Sequence, residues 1–213
     1  MEMTKYAHAC VVLQKGESHL VIDPGTFTSN AAELIANAET ILITHQHFDH
    51  FDEVAISAAL EARAELTVYG PGSVIEKLSG YPGQAIAVKA GDRFQVGDFE
   101  VAVFGEHHAI VHRDIPLIAN VGYLIDERLY HPGDSYFVPS VPVEVLLLPT
   151  SGPWTKTGEA VDYVRAVNPK LLVQIHELLL SEMGQQSLVR ILGPNMLNMI
   201  PLTIVPVGDS ITV

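Results

Sequence analysis

His45-Gln46-His47-Phe48-Asp49-His50 sets three imidazoles and a carboxylate within six positions, directly behind the apolar run Ile41-Leu42-Ile43 and Thr44. Neutral imidazole and carboxylate are the ligands that zinc and other borderline divalent metals take. Ten histidines and ten aspartates in 213 residues would produce His-x-His-x-Asp-His by chance on the order of once in a thousand such chains. In an extended loop His45 and His47, two apart, face the same way and can grip one ion. Asp49 and His50 follow the turn, where Asp52-Glu53-Val54-Ala55-Ile56 leads into a helix, and can serve a second ion. Two metals about 3.5–4 Å apart can hold a hydroxide between them and stabilise both entering and leaving oxygens.

Further ligands must arrive from elsewhere, and three other strand ends carry metal-type side chains. Gly105-Glu106-His107-His108 follows Val101-Ala102-Val103-Phe104, and His131-Pro132-Gly133-Asp134-Ser135 follows Arg128-Leu129-Tyr130. Gln174-Ile175-His176-Glu177 follows Leu171-Leu172-Val173. Loops at strand ends can converge without disturbing the ladders behind them. Between His107 and His108 the residue types alone do not decide.

The elements behind these loops are short apolar runs bounded by Gly, Pro and Asp, which predict strands. Strands are expected at 9–13, 20–22, 41–43, 66–69, 85–88, 94–96, 99–104, 121–125 and 129–131, with Gly97-Asp98 as a tight hairpin turn. Helices are expected between them at 31–37, 53–64 and 72–78. The last third alternates: strand 145–148, helix 159–167, strand 171–175, helix 187–192, then strands 203–207 and 210–213. Ala160, Val161, Val164 and Val167 share one helical face, and Asn168-Pro169 stops that helix. Meandering strands joined to β-α-β units predict two mixed sheets packed together with helices outside, an α/β (α+β) sandwich formed as one domain over residues 1–213.

Composition narrows the function. The chain is 48% apolar and 17% charged, enough to bury a sizeable core, and no stretch approaches the ~20 apolar residues of a membrane span. The N-terminus has no basic region followed by an apolar core, so no secretory signal is expected. One cysteine, Cys10, leaves no internal disulfide and suits a reducing cytoplasm; in its apolar strand it reads as a buried, inert thiol. Twelve basic against 25 acidic residues give a net charge of −13, and nucleic-acid binding draws most of its affinity from Lys and Arg on phosphates. A nucleic-acid partner is therefore not expected, while an anionic small substrate could still be held at the metals. Nothing fixes the oligomeric state; a homo-oligomer stays open.

A His-x-His-x-Asp-His loop after a strand, a downstream His, a Gly-Asp after a hairpin and a late His together resemble the metallo-β-lactamase superfamily, from Ile22-Asp23-Pro24-Gly25 to His176. The subgroup resembled is that of compact metal-dependent hydrolases similar to ascorbate-phosphate lactonases. The resemblance implies a four-layer αββα sandwich with two divalent ions, zinc first and manganese or iron as alternatives. It implies metal one on His45, His47 and a histidine of the 107–108 pair, metal two on Asp49, His50 and His176, and Asp134 as the bridge. The subgroup's Gly-x-x-His-Ala pattern favours His108 in Gly105-Glu106-His107-His108-Ala109, leaving His107 on the other side of the strand end. True β-lactamases carry cysteine where Asp134 stands, which argues against antibiotic hydrolysis.

Several other residues are candidates for support. Asp23 is expected to orient a ligand histidine through its free ring N–H, and His8 to line the pocket and reach substrate. His112, four after His108, is a candidate donor to a substrate oxyanion. Trp154 would offer an apolar wall, and Lys156 would meet an anionic group. His19 and His131 read as structural. The reaction expected is hydrolysis by a metal-bridging hydroxide, with Asp49 orienting that water or accepting its proton, on a small-molecule ester or lactone. The alternatives are a small cyclic phosphodiester as substrate, or a non-catalytic metal-binding protein. Di-iron redox chemistry fits less well, because the related oxygen-reducing proteins carry Glu where this chain has His47.

Overall fold

The computed structural model describes residues 1–197 and 200–213. In chain order the elements are β1 (Glu2–Lys5), β2 (Val11–Lys15), β3 (Ser18–Ile22), α1 (Ala31–Asn37), β4 (Thr40–Leu42), α2 (Glu53–Ala62), β5 (Thr67–Gly70), α3 (Gly72–Lys77) and β6 (Ala85–Ala87). The second half follows with β7 (Arg93–Val96), β8 (Phe99–Phe104), β9 (Gly122–Ile125), β10 (Leu129–His131), β11 (Val145–Pro149), α4 (Thr157–Val167), β12 (Leu171–Ile175), α5 (Glu182–Ile191), β13 (Leu202–Thr203) and β14 (Ser210–Thr212).

The strands make two mixed seven-stranded sheets, ordered β14-β1-β2-β3-β4-β5-β6 and β13-β12-β11-β10-β9-β8-β7. Alternation decides which faces meet. Val11, Leu13, Leu20 and Ile22 of one sheet pack against Val101, Val103, Tyr123 and Leu147 of the other. Opposite residues of the same strands, Val21 and Ile41, join Ile35, Ile56 and Leu60 under α1 and α2. Leu146 and Leu148 similarly join Val161 and Val164 under α4. The result is the expected four-layer αββα sandwich. No helix among the described residues is long and apolar enough to cross a membrane.

Departures from the expected elements are local. β1 was not expected, because Lys5 alternates inward with Met3 and a buried lysine reads as a solvent-facing one. The strand expected at 9–13 begins only at Val11, since Tyr6 N–H donates to the Cys10 carbonyl at 2.9 Å and Cys10 N–H to Ala7 at 3.2 Å, closing a turn over residues 6–10. α5 starts five residues before the expected 187, where Ser181 Oγ caps it by accepting from Gly184 N–H. β13 is two residues long rather than the expected 203–207, with Pro206 unable to donate to a ladder.

The two sheets are fastened at one edge, and this positions the candidate site. Tyr123 Oη donates to the Ile43 carbonyl at 2.9 Å, Val121 N–H to Thr44 at 2.9 Å, and His176 N–H to His8 at 2.9 Å. Gly25 lets the loop after β3 lie against the loop after β4: a Cβ there would stand 2.0 Å from the Asp49 carbonyl oxygen.

Candidate metal centre

Eight titratable side chains at this edge, six of them buried and His47 and Asp49 half-buried, sort into two clusters. His45, His47, His108 and Asp134 form the first, and His8, Asp49, His50 and His176 the second; within each, one ligand-type atom per residue lies within 4.8 Å of the others. His45 to His50 leave β4, His108 leaves β8, Asp134 leaves β10 and His176 leaves β12. His8 sits in the turn after β1.

Asp134 stands between the clusters. Its Oδ1 lies 3.1 Å from His50 Nε2 and 3.2 Å from His176 Nε2, and its Oδ2 lies 3.3 Å from His108 Nε2. His45 Nε2 and His47 Nδ1 are 3.0 Å apart. Ligand nitrogens at about 2.0–2.1 Å from a four-coordinate zinc stand roughly 3.3 Å from one another, so the spacing suits a shared cation. His50 Nε2, His176 Nε2 and Asp134 Oδ1 are all buried without a hydrogen-bond partner. Orphaned polar atoms that converge on one point are costly unless something charged sits between them. Divalent cations fit this donor set.

The outer partners fix which nitrogen of each ring is free. His50 Nδ1 pairs with Asp23 Oδ2 at 2.6 Å, and His108 Nδ1 donates to the Ala109 carbonyl at 2.6 Å. Thr44 Oγ1 donates to Asp23 Oδ2 at 2.6 Å and lies 3.0 Å from His45 Nδ1. One hydroxyl thus passes the pull of Asp23 on to His45, while Thr44 N–H holds Asp23 Oδ1 at 2.8 Å. In all three rings Nε2 is left to face the centre.

Asp134 has its own supports. Trp154 Nε1 donates to Oδ2 at 2.9 Å, and Asn120 Oδ1 accepts from the Asp134 N–H at 3.0 Å while its Nδ2 donates to the Pro132 carbonyl. In the second cluster His8 Nε2 lies 3.0 Å from Asp49 Oδ2. The His8 turn is tied to the His176 loop through Glu177, which accepts from His8 N–H at 3.0 Å and from Lys5 Nζ at 3.1 Å. His8, Asp23 and His176 all have φ between +51° and +61°. Non-glycine residues in left-handed backbone are strained and gather at functional sites.

Charge is polarised between the groups. Burial, and then His50, holds His45 well below the usual imidazole range; burial, and then His108, lowers His47. Burial would lower His50 too, but Asp134 and Asp23 outweigh it and raise His50 well above that range. His176 is raised against its burial by the nearby carboxylates of Asp134 and Asp49. Both carboxylates resist the upward push of burial: His50 keeps Asp134 well below the carboxylate range, and His176 and His8 lower Asp49.

The sequence-predicted residues can now be placed. His45, His47, Asp49, His50, His108, Asp134 and His176 come together, and Asp23 touches His50. His108 rather than His107 faces Asp134; His107 is exposed on the far side, 4.0 Å from Glu106. His8 does more than line a pocket, because it stands within the second cluster against Asp49. Trp154, expected as an apolar wall, is a hydrogen-bond donor to Asp134. Lys156 does not reach the centre: it is exposed, 3.6 Å from Glu159. His112 is exposed in the loop beyond His108 and accepts from Asp114 N–H. His131, buried, bonds the Ala9 carbonyl at 2.8 Å, a structural role. Asn120, Lys5 and Glu177 were not singled out, since nothing in their neighbourhoods marks them; the partners described above lie 12 to 172 positions away.

Comparison with known proteins gives consistent results. The family described as "Beta-lactamase superfamily domain" matches residues 2–176. Protein Rv0786c of Mycobacterium tuberculosis is 39% identical over 186 residues, covering 85% of this chain and 86% of that one. A UPF0173 metal-dependent hydrolase of Myxococcus xanthus is 30% identical over 197 residues, covering 82% and 70%. Among solved structures, Igni18, a metallo hydrolase from Ignicoccus hospitalis, superposes with a TM-score of 0.75 at 17% identity, covering 99% and 97%.

Proposed function

This chain belongs to the β-lactamase superfamily, and from that premise we propose that it is a metal-dependent hydrolase acting through two divalent ions on a small-molecule ester or lactone. The observation that carries the proposal is the meeting of buried, unpartnered His50 Nε2, His176 Nε2 and Asp134 Oδ1 beside a second set of imidazoles reached through the other oxygen of the same carboxylate. His45, His47 and His108 would hold one ion, and Asp49, His50 and His176 the other, with Asp134 shared. Ions so bound would supply a water that loses its proton near neutral pH and a Lewis acid for the substrate oxygen. Zinc is the first choice for such a site, and manganese or iron would also fit its donors.

The chain's own residues position and hold protons around that chemistry. Asp23 and Thr44 keep protons on His50 Nδ1 and His45 Nδ1, so neither ring can turn its lone pair away. Trp154 holds the Asp134 carboxylate, and Asn120 holds the backbone that carries it. Asp49 Oδ2 receives His8 Nε2 and lies 3.6 Å from His176 Nε2. A base working near neutrality needs a pKa near the operating pH, whereas His176 and His8 lower Asp49 against its burial. It therefore acts better as an acceptor that orients the water than as a store for its proton.

Charge favours a neutral carbonyl substrate over a phosphodiester. The cations on the segments beside the clusters are engaged: Lys5 with Glu177 at 3.1 Å, Lys156 with Glu159, and Arg113 with Asp114 at 3.7 Å. The test is elemental analysis with activity on p-nitrophenyl acetate, a γ-lactone and bis(p-nitrophenyl) phosphate, before and after chelation. Two ions per chain and chelator-sensitive turnover of the ester or lactone are expected. Fewer than one ion per chain with hydrolysis indifferent to chelation would sink the proposal, and turnover of the phosphodiester alone would replace the substrate class.

A further inference from the structure

Beyond His108 the chain runs Ala109-Ile110-Val111-His112-Arg113-Asp114-Ile115-Pro116-Leu117-Ile118 before rejoining the sheet at β9. This loop walls a groove of about 770 Å³ whose inner end is formed by Gln46, His47 and His108. The groove therefore opens directly onto two ligands of the first cluster. Its wall is largely aliphatic, interrupted by His112, Arg113 and Asp114, and Ile110, Ile115 and Leu117 are 72%, 54% and 51% exposed. Single exposed apolar residues are ordinary, but several gathered at a cleft mark a binding surface.

The other ligand-bearing loops repeat the pattern. Phe48, exposed between His47 and Asp49, packs edge-to-face on Phe27 at 5.5 Å. Leu178 and Leu179, both exposed, follow His176 by two and three positions. Exposed apolar residues thus recur on the loops that carry the clustered histidines, although the groove itself is lined from Gln46, His47 and residues 108–118. The groove's only strong cation, Arg113, is almost fully exposed and lies 3.7 Å from Asp114, so it supplies no buried positive charge for an anionic group.

We infer that this groove binds the uncharged acyl or alkyl arm of a substrate whose scissile carbonyl sits at the metal centre. The inference rests on the hydrolase reading and sharpens it from small esters and lactones to those carrying a hydrophobic chain. The groove's volume lies within the roughly 300–1,000 Å³ typical of small-molecule sites and accommodates a chain of several carbons. Burying methylenes in such a groove strengthens binding by about twofold to fourfold each.

The test is binding of a series of alkyl hydroxamates, from acetohydroxamate to octanohydroxamate, to the metal-loaded chain by calorimetry, with hydrolysis of p-nitrophenyl esters of the same chain lengths in parallel. Affinity is expected to rise roughly fiftyfold or more across the six added methylenes. In the double variant Ile110→Ser, Leu117→Ser the dependence on chain length should flatten. Met183→Ser, which alters an exposed apolar residue of α5 outside the groove, should keep it. Equal affinity for short and long hydroxamates overturns the groove assignment, whatever the esters do. A steep dependence on length in binding, with no metal-dependent hydrolysis of any ester, supports the groove and overturns the hydrolase reading alone.

Discussion

Thr44 holds His45 and the Ala109 carbonyl holds His108, each a partner one residue away along the chain, whereas His8 and His176 reach the second cluster from opposite ends of the sequence in left-handed backbone. In the first cluster the rings are oriented by their own loops. In the second, His8 Nδ1 and both ring nitrogens of His176 are buried without hydrogen-bond partners, and the segments carrying them are tied together through backbone, by His176 N–H on the His8 carbonyl, and through Lys5 and Glu177 rather than through the rings. The first half is organised in advance by local hydrogen bonds. The second gains its order from long-range packing and leaves more for a cation to satisfy. The two halves should therefore differ in how tightly and under what conditions they hold an ion.

The largest effect should come from the residue the halves share. Asp134→Asn keeps the shape of the side chain but removes the charge between His50, His176 and His108. Both ions should bind much more weakly, and hydrolysis should fall by roughly a thousandfold or more, the order expected when several kcal/mol of charge stabilisation are lost. Elemental analysis together with turnover checks this; a variant retaining two ions at wild-type affinity would remove Asp134 from its bridging role.

Asp23 serves both halves from behind the rings, through Thr44 and His50 Nδ1. Asp23→Ala frees Thr44 and His50 Nδ1 together, and loss of such an outer partner typically weakens metal affinity about 10–100-fold. Both dissociation constants should rise, whereas a change confined to one ion would mean that the Thr44 link to His45 carries nothing. Thr44→Val tests that link directly and should weaken the first ion more than the second.

Acidification should separate the halves. A ligand imidazole must be neutral, so protons compete with the metal as pH falls through its pKa. Asp134 and Asp23 raise His50, and the nearby carboxylates of Asp134 and Asp49 raise His176, so competition in the second cluster begins above the ordinary value of about 6.5. Burial lowers His45 and His47, so competition in the first begins below it. Metal content after dialysis at descending pH should fall in two steps, with the second cluster emptying first. A single step, or the reverse order after labelling the halves with distinguishable metals, breaks the contrast.

The same contrast explains what could be read from the chain. The segment from His45 to His50 was legible because chemistry and sequence coincide there: four ligand-type side chains, two from each half, lie within six positions behind a recognisable buried strand. His108, Asp134 and His176 were legible as polar interruptions at the ends of apolar runs. The role of His8 was not, because its partner Asp49 is 41 positions away and the turn holding it was taken for the start of a strand. Trp154 was read as a wall because a tryptophan in a loop shows its ring and not its N–H. Lys5 and Glu177 look like ordinary surface charges until folding buries them face to face, and burial lowers Lys5 even though Glu177 opposes the shift. Periodicity located the strands well where both faces were apolar and failed at β1, where a lysine occupies an inward position.

The smallest effects should fall on single supports, and they divide by half. His8→Ala removes the partner of Asp49 Oδ2 and should weaken the second ion about tenfold while leaving the first unchanged. Trp154→Phe is subtler. It keeps the ring that packs edge-to-face on Tyr136 at 4.9 Å and deletes only the donor to Asp134 Oδ2, the oxygen on the His108 side. A hydrogen bond to a charged group contributes about 1.5–3 kcal/mol, but a cation beside the same oxygen would take over part of that role. The expected loss in turnover is therefore about threefold to tenfold, with the first ion weakened more than the second and the melting temperature nearly unchanged in the metal-loaded protein. If Trp154→Phe instead weakened the second ion more, Asp134 would not divide its two oxygens between the halves, and their separate construction would not carry through to the bridge.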